Sequence, residues 1–214
     1  MNSYEKVPRL RLVYDTSPKK SPARTPRSGA DVYVIKVTLL GTKPPVWRRL
    51  AVRADTTLAR LHSVLQSAIG WYDCHLHQVV APDQTRYSAL SPDGDLDWDS
   101  RVVDERKVKL RQVLRASRQR MVYEYDFGDG WEHRIELEKI VPPEPGEKLP
   151  RCLGGRRSCP PEDCGGVWGY AEMLRALADP KHREHAMYKE WLDGDFDAEA
   201  FDIERVNELL AGIR

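Results

Sequence analysis

Two stretches of strict alternation, Met121, Tyr123, Tyr125, Phe127 and then Trp131, His133, Ile135, Leu137, stand on either side of Gly128-Asp129-Gly130. Residues two apart share one face of a β-strand, so each stretch presents a row of large side chains to one side only. Gly-Asp-Gly is turn chemistry, and two such rows joined by it make a β-hairpin with an aromatic inner face. The rest of the chain has to supply the cover for that face.

Upstream, Tyr33, Ile35, Val37 and Leu39 alternate within Val32 to Leu40 and predict a strand. After Gly41 and the Pro44-Pro45 break, Val46, Leu50 and Val52 mark a second strand that pairs with the first. Asp55-Thr56-Thr57 supplies caps for a helix whose Leu58, Leu61, Leu65 and Ile69 form one stripe before Gly70 stops it, and this helix packs on the sheet. His75 to Val80 reads as a third strand, Ala81 to Ser100 as a loop with solvated Asp93, Asp95, Asp97 and Asp99, and Lys107 to Ala116 as a short helix or turn. Beyond Pro142-Pro143-Glu144-Pro145 a Cys/Pro/Gly loop runs from Pro150 to Gly166. Three amphipathic helices follow, near 168–178, 182–192 and 202–212, the last carried by Ile203, Val206, Leu210 and Ile213. Strands first and helices last predict the α+β class: a mixed or antiparallel sheet with a β-grasp-like β-β-α-β start, then a C-terminal group of three helices. Residues 31–214 then form one domain, with a sheet-rich part (31–141), the loop (142–166) and a helical part (167–214).

The chain has 214 residues, 41% of them hydrophobic, enough for one sizeable core. Lys and Arg (34) nearly balance Asp and Glu (33), which gives the whole chain no bias toward nucleic acid. No apolar run approaches the roughly 18 residues of a membrane span, and no leading apolar stretch marks a signal peptide, so a cytoplasmic location is expected. Four cysteines then point to free thiols or a metal site rather than a disulfide framework. Charge is uneven, however. Residues 1–30 hold Lys6, Arg9, Arg11, Lys19, Lys20, Arg24 and Arg27 against Glu5 and Asp15, with Pro8, Pro18, Pro22 and Pro26 among Ser and Thr. Such a segment has too few apolar groups to offset its ordering entropy and is expected to be a disordered basic tail. Its Ser17-Pro18-Lys19-Lys20 and Ser21-Pro22-Ala23-Arg24 units suit weak DNA contact in the minor groove, against the plainer reading of a solvated tail.

Four constellations carry chemistry. Cys152, Cys159 and Cys164, spaced C-x6-C-x4-C, offer three thiolates to Zn²⁺, with His133 as fourth ligand and His75 and His77 in reserve; inert thiols and a redox pair are the alternatives. Asp126, Asp129 and His133 around the hairpin turn are the raw material of acid–base catalysis, or simply turn and core groups. Pro160-Pro161-Glu162-Asp163-Cys164-Gly165-Gly166 ahead of a helix would activate Cys164, or merely cap the helix. Asp193-Gly194-Asp195-Phe196-Asp197 with Glu204 mimics a calcium-loop spacing, but Ala198 and Phe201 stand where the turn glycine and the ninth ligand belong, so capping is the better reading.

Several segments together resemble the plasmid pRiA4b ORF-3-like proteins, which are often labelled passengers of transposable elements. The matching pieces are Tyr33 to Leu39, Pro45-Val46-Trp47-Arg48-Arg49, Leu58 to Gly70 with Trp71 and His75-Leu76, Tyr125 to His133, Pro160 to Gly166 with Gly169-Tyr170, and Phe196-Asp197 to Asn207. The resemblance runs from about Asp31 to the C-terminus and implies an α+β domain and an association with mobile elements; it implies no reaction, and no serine-recombinase pattern accompanies it. No catalytic triad, phosphate cradle or cofactor fingerprint is found, while aromatic and Pro/Gly motifs abound. This favours a non-enzymatic binding or accessory module that meets a protein or nucleic-acid partner through Tyr125, Phe127, Trp131, Trp71 and His75, pinned by structural zinc. The alternative is a small metal-dependent or Cys/His/Asp hydrolase with its pocket at Asp126, Asp129, His133 and Cys164.

Overall fold

Alternation decides the strands, and the structure, a computed structural model, describes residues 31–90 and 102–213. In chain order the elements are β1 (Val32–Leu39), β2 (Trp47–Arg53), α1 (Leu58–Ile69), β3 (His77–Val80), β4 (Arg86–Ser88), β5 (Val102–Asp104), α2 (Leu110–Val113), β6 (Arg120–Tyr125), β7 (Trp131–Val141), β8 (Arg151–Arg156), α3 (Gly166–Ala178), α4 (His185–Trp191) and α5 (Ile203–Ala211). The eight strands form one sheet in the order β5-β4-β3-β6-β7-β1-β2-β8, antiparallel except for the parallel β4–β5 pair. The fold is α+β with a mixed sheet. The basic tail and the Asp93 to Asp99 run lie outside the described residues.

One face of the sheet is buried. Tyr33, Ile35, Val37 and Leu39 of β1 and Trp131, His133, Ile135 and Leu137 of β7 point into it, and Val34, Lys36, Thr38 and Glu132, Arg134, Glu136 point away. Helix α1 lays Leu58, Leu61, Val64, Leu65 and Ala68 into the same core. Thr57 caps its start by accepting a hydrogen bond from the Arg60 amide, and Gly70 ends it in the left-handed conformation (φ 97°), which glycine enters without a Cβ penalty. Tyr170 and Met173 of α3 and Val206 and Leu210 of α5 join this connected core. The buried Arg48 of β2 is held by carbonyls rather than by a carboxylate: Nε donates to Ala68 O at 2.9 Å, and Nη1 donates to Trp47 O at 2.9 Å and Arg156 O at 3.2 Å.

The structure departs from expectation in three places. The loop over 150–166 contains strand β8, whose backbone pairs with β2 from Arg151↔Ala51 to Arg156↔Trp47. The loop over 81–100 contains β4. The β-β-α-β order is kept along the chain, but β3 pairs with β4 and β6, so that β6 and β7 stand between it and β1. The central hairpin has the expected register, Met121↔Ile135, Tyr123↔His133 and Tyr125↔Trp131. Its turn is longer than Gly-Asp-Gly, however: Asp126 (φ 54°) and Gly130 (φ 67°) both take positive φ, and Gly130 N donates to Asp126 O. Phe127 therefore leaves the alternation and is 55% exposed.

Candidate functional site

Three segments meet at one end of the sheet: residues 71–76 after α1, the β6–β7 turn, and residues 158–166 before α3. Trp71 is buried with its ring 4.8 Å from that of Tyr125, and its Nε1 donates to Pro160 O at 2.9 Å. The Glu162 carboxylate accepts from the Tyr72 amide (2.9 Å) and from the Tyr125 hydroxyl (2.5 Å), which itself accepts from the Cys74 amide (3.1 Å). Asp126 N donates to Leu76 O at 2.9 Å, and Gly165 N to Asp129 Oδ2 at 3.2 Å. Each segment thus holds the other two through groups that strand pairing leaves free.

Beneath this meeting point lies a polar layer in the core. His62 Nδ1 is 2.8 Å from Tyr123 Oη, His62 Nε2 is 2.7 Å from Asp73 Oδ1, and Gln66 Nε2 donates to Tyr123 Oη at 2.9 Å. His77, paired with the buried Glu105 at 2.9 Å, stacks on His62 with ring centroids 3.5 Å apart and planes 2° from parallel. Burial, and then the neighbouring His77, hold the His62 pKa below its usual value. Parallel rings cannot both aim lone pairs at one point, since an ion in the plane of one ring lies a full ring spacing from the plane of the other. This pair is a hydrogen-bonded packing element.

The outer rim is richer in ligand groups. His75 Nε2 lies 3.2 Å from Asp163 Oδ1 and 3.8 Å from Asp126 Oδ2, while Cys74 Sγ donates to Glu162 Oε1 at 3.4 Å. Two triads, Cys74/His75/Glu162 and His75/Asp126/Asp163, bring their ligand atoms within 4.8 Å of one another. Partial desolvation, and then the Glu162 carboxylate, raise the Cys74 thiol above its ordinary range. Segments 71–77, 124–133 and 159–168 contain Asp73, Glu124, Asp126, Asp129, Glu132, Glu162 and Asp163, and no Lys or Arg. Around this acidic rim Tyr72 is 88%, Leu76 66% and Trp168 88% exposed.

The profile of the plasmid pRiA4b ORF-3-like proteins matches residues 31–205, nearly the whole described fold. The chain belongs to this family. The chain is 40% identical over 183 residues to the uncharacterised protein y4hQ of Sinorhizobium fredii, covering 85% of this chain and 91% of the relative. It is similar to the crystal structure of a protein of unknown function, MM3350 from Methanosarcina mazei Go1, with a TM-score of 0.72 and 38% identity over 81% of this chain and 96% of that one.

In this pRiA4b ORF-3-like chain the residues singled out from sequence are dispersed. Among the described residues, no group of three ligand atoms within 4.8 Å of one another includes Cys152, Cys159, Cys164 or His133. The reason is strand β8: it fixes Cys152 opposite Leu50, where Sγ donates to Gly154 O, while Cys159 Sγ accepts from Arg48 Nη2 at 3.6 Å. Burial pushes the Cys164 thiol up to about 12, with Asp129 adding to it, which disfavours the thiolate. His133, 1% exposed, is wrapped by Trp71 and Tyr123, and burial holds its pKa at about 3, leaving a neutral ring that is a poor base. Of the five surface residues expected, Tyr125, Trp131 and Trp71 are buried and build the floor, while Phe127 and His75 reach the rim. His75 and Asp126 are brought together; Cys74, Glu162 and Asp163 complete their surroundings. The usable signal for these three was charge: three aromatic-rich segments with seven carboxylates and no cation. Among the described residues no helix is long and apolar enough to cross a membrane.

Proposed function

We propose that the chain is a non-enzymatic binding module that takes a basic, apolar polypeptide segment at the 71–76, 126–130 and 160–168 end of the sheet. The observation that carries this reading is the exposure of Tyr72, Leu76, Phe127 and Trp168 on segments rich in carboxylates and free of Lys and Arg. Exposed apolar groups of this size mark contact surfaces, and aromatic faces beside carboxylates suit guanidinium and ammonium groups. The same charge repels nucleic-acid phosphates, so a protein partner fits this face better than DNA. The excess of basic residues in 1–30 supports a separate, salt-dependent DNA contact by that segment. A cytoplasmic setting agrees with four free cysteines.

Fluorescence anisotropy of the full chain with three labelled peptides tests the reading: one alternating Arg/Lys with Leu/Trp, one with Glu replacing the cations, and one polar and neutral. The basic peptide binds, more weakly as salt rises, and Tyr72→Ser with Trp168→Ser weakens it at least about tenfold, the loss of roughly 1.4 kcal/mol of contact. Equal binding of the acidic peptide, or no effect of the two substitutions, refutes it.

A further inference from the structure

We propose that Cys74, His75, Asp126, Glu162 and Asp163 form a divalent-cation site, best suited to Zn²⁺, that pins the loop after α1 to the hairpin turn and to the segment before α3. His75 is common to both triads, so one ion centred on its imidazole draws its remaining ligands from the thiolate and the three carboxylates.

Four observations converge on this. Zinc bonds of about 2.0–2.3 Å place neighbouring ligands of a tetrahedral ion about 3.3–3.8 Å apart. The separations found here are 3.2 Å (His75–Asp163), 3.4 Å (Cys74–Glu162) and 3.8 Å (His75–Asp126). Second, His75 Nε2 is shielded from solvent and makes no hydrogen bond although Asp163 Oδ1 lies 3.2 Å and Asp126 Oδ2 3.8 Å from it, so a buried ligand atom beside two carboxylates has no partner. Third, among the described residues no Lys or Arg nitrogen lies within 4.0 Å of the Asp126, Glu162 or Asp163 carboxylates, whose one basic neighbour is the His75 imidazole, and Asp126 is buried. A buried carboxylate without a cation is costly, and a metal ion removes that cost. Finally, the carboxylates are already oriented by neutral donors: Gly128 N holds Asp126 Oδ1 at 2.9 Å, and Tyr125 and Tyr72 hold Glu162. Such outer hydrogen bonds fix metal ligands in place. A mixed thiolate, imidazole and carboxylate set selects zinc over calcium or magnesium, which take oxygen alone.

The proposal stands apart from the peptide reading. Asp73 and Asp129 lie outside the ligand set and keep carboxylates on this face with the ion bound.

The test is titration of the chelator-stripped full chain with zinc in a competition assay, and with cobalt(II) followed by absorption, with no peptide present. One ion binds per chain, and Cys74 gives a thiolate-to-cobalt charge-transfer band that Cys74→Ser abolishes. His75→Gln, at a side chain 26% exposed and so compatible with folding, lowers zinc affinity at least about tenfold without changing the metal-free circular dichroism or melting. Cys152→Ser and Cys164→Ser leave affinity within about twofold. No stoichiometric binding, unchanged affinity in His75→Gln, or loss in Cys152→Ser in place of Cys74→Ser overturns the proposal.

Discussion

Replacing Gly166 by alanine tests whether α3 is locked to the hairpin turn. Gly166 has φ +67°, and a Cβ there would run into the carbonyl oxygen of Asp129, a backbone atom that cannot swing aside. The left-handed conformation alone costs an L-residue about 1–2 kcal/mol. Relieving the overlap separates α3 from the turn and breaks the bond from Gly165 N to the Asp129 carboxylate, a charge-assisted contact worth about 1.5–3 kcal/mol. Together these give a loss of about 2.5–5 kcal/mol, or a Tm fall of about 5–20 °C for a chain of this size. Gly70→Ala is the control: φ is +97° but nothing lies within 4 Å of the added Cβ, so only the conformational part, about 1–2 kcal/mol, is lost. Urea unfolding of the two variants beside the parent, with equal slopes required, reads both numbers. If Gly166→Ala costs no more than Gly70→Ala, the locked junction is refuted.

Three further outcomes are expected. The folded His133 has a pKa of about 3, against about 6.5 unfolded, so the unfolded chain takes its proton first as pH falls. His133 thus contributes full stability above about pH 6.5 and loses it toward pH 3 at up to about 1.4 kcal/mol per unit; His133→Phe flattens the urea midpoint between pH 7 and 5, and an unchanged slope contradicts a neutral buried ring. Arg48→Lys keeps the charge but cannot serve the Ala68, Trp47 and Arg156 carbonyls together, and lowers stability by about 2 kcal/mol in the same assay. A disulfide reagent added to the metal-free native chain labels Cys74 first, because Cys74 alone of the four thiols is exposed, and labels all four after denaturation; equal rates in the native chain contradict the burial of Cys152 and Cys164.

What the sequence made legible were elements whose cause is local. The Tyr33 to Leu39 and Trp131 to Leu137 alternations, the Thr57 and Gly70 caps of α1 and the three C-terminal helices are written in neighbouring residues. Strand β8 is not: Arg-Cys-Leu-Gly-Gly-Arg has little strand propensity, and it is a strand because β2, about a hundred residues earlier, offers it a free edge. Phe127 falls outside the alternation because the turn widens to include Asp126, which accepts a positive φ through its short polar side chain. In the site, Cys74 stands alone in sequence, whereas Cys152, Cys159 and Cys164 share the short spacing that suggests a ligand set. His75 and Asp126 were among the candidates, but their neighbours Glu162 and Asp163 read as capping residues, and only folding sets them beside His75.

The most direct test is anomalous diffraction at the zinc edge from crystals of the full chain grown with stoichiometric zinc. One strong peak is expected within bonding distance of His75 Nε2, with Cys74 Sγ and carboxylates drawn from Asp126, Glu162 and Asp163 completing the sphere. A peak among Cys152, Cys159 and Cys164, or an imidazole of His75 turned away from every ion, would contradict it.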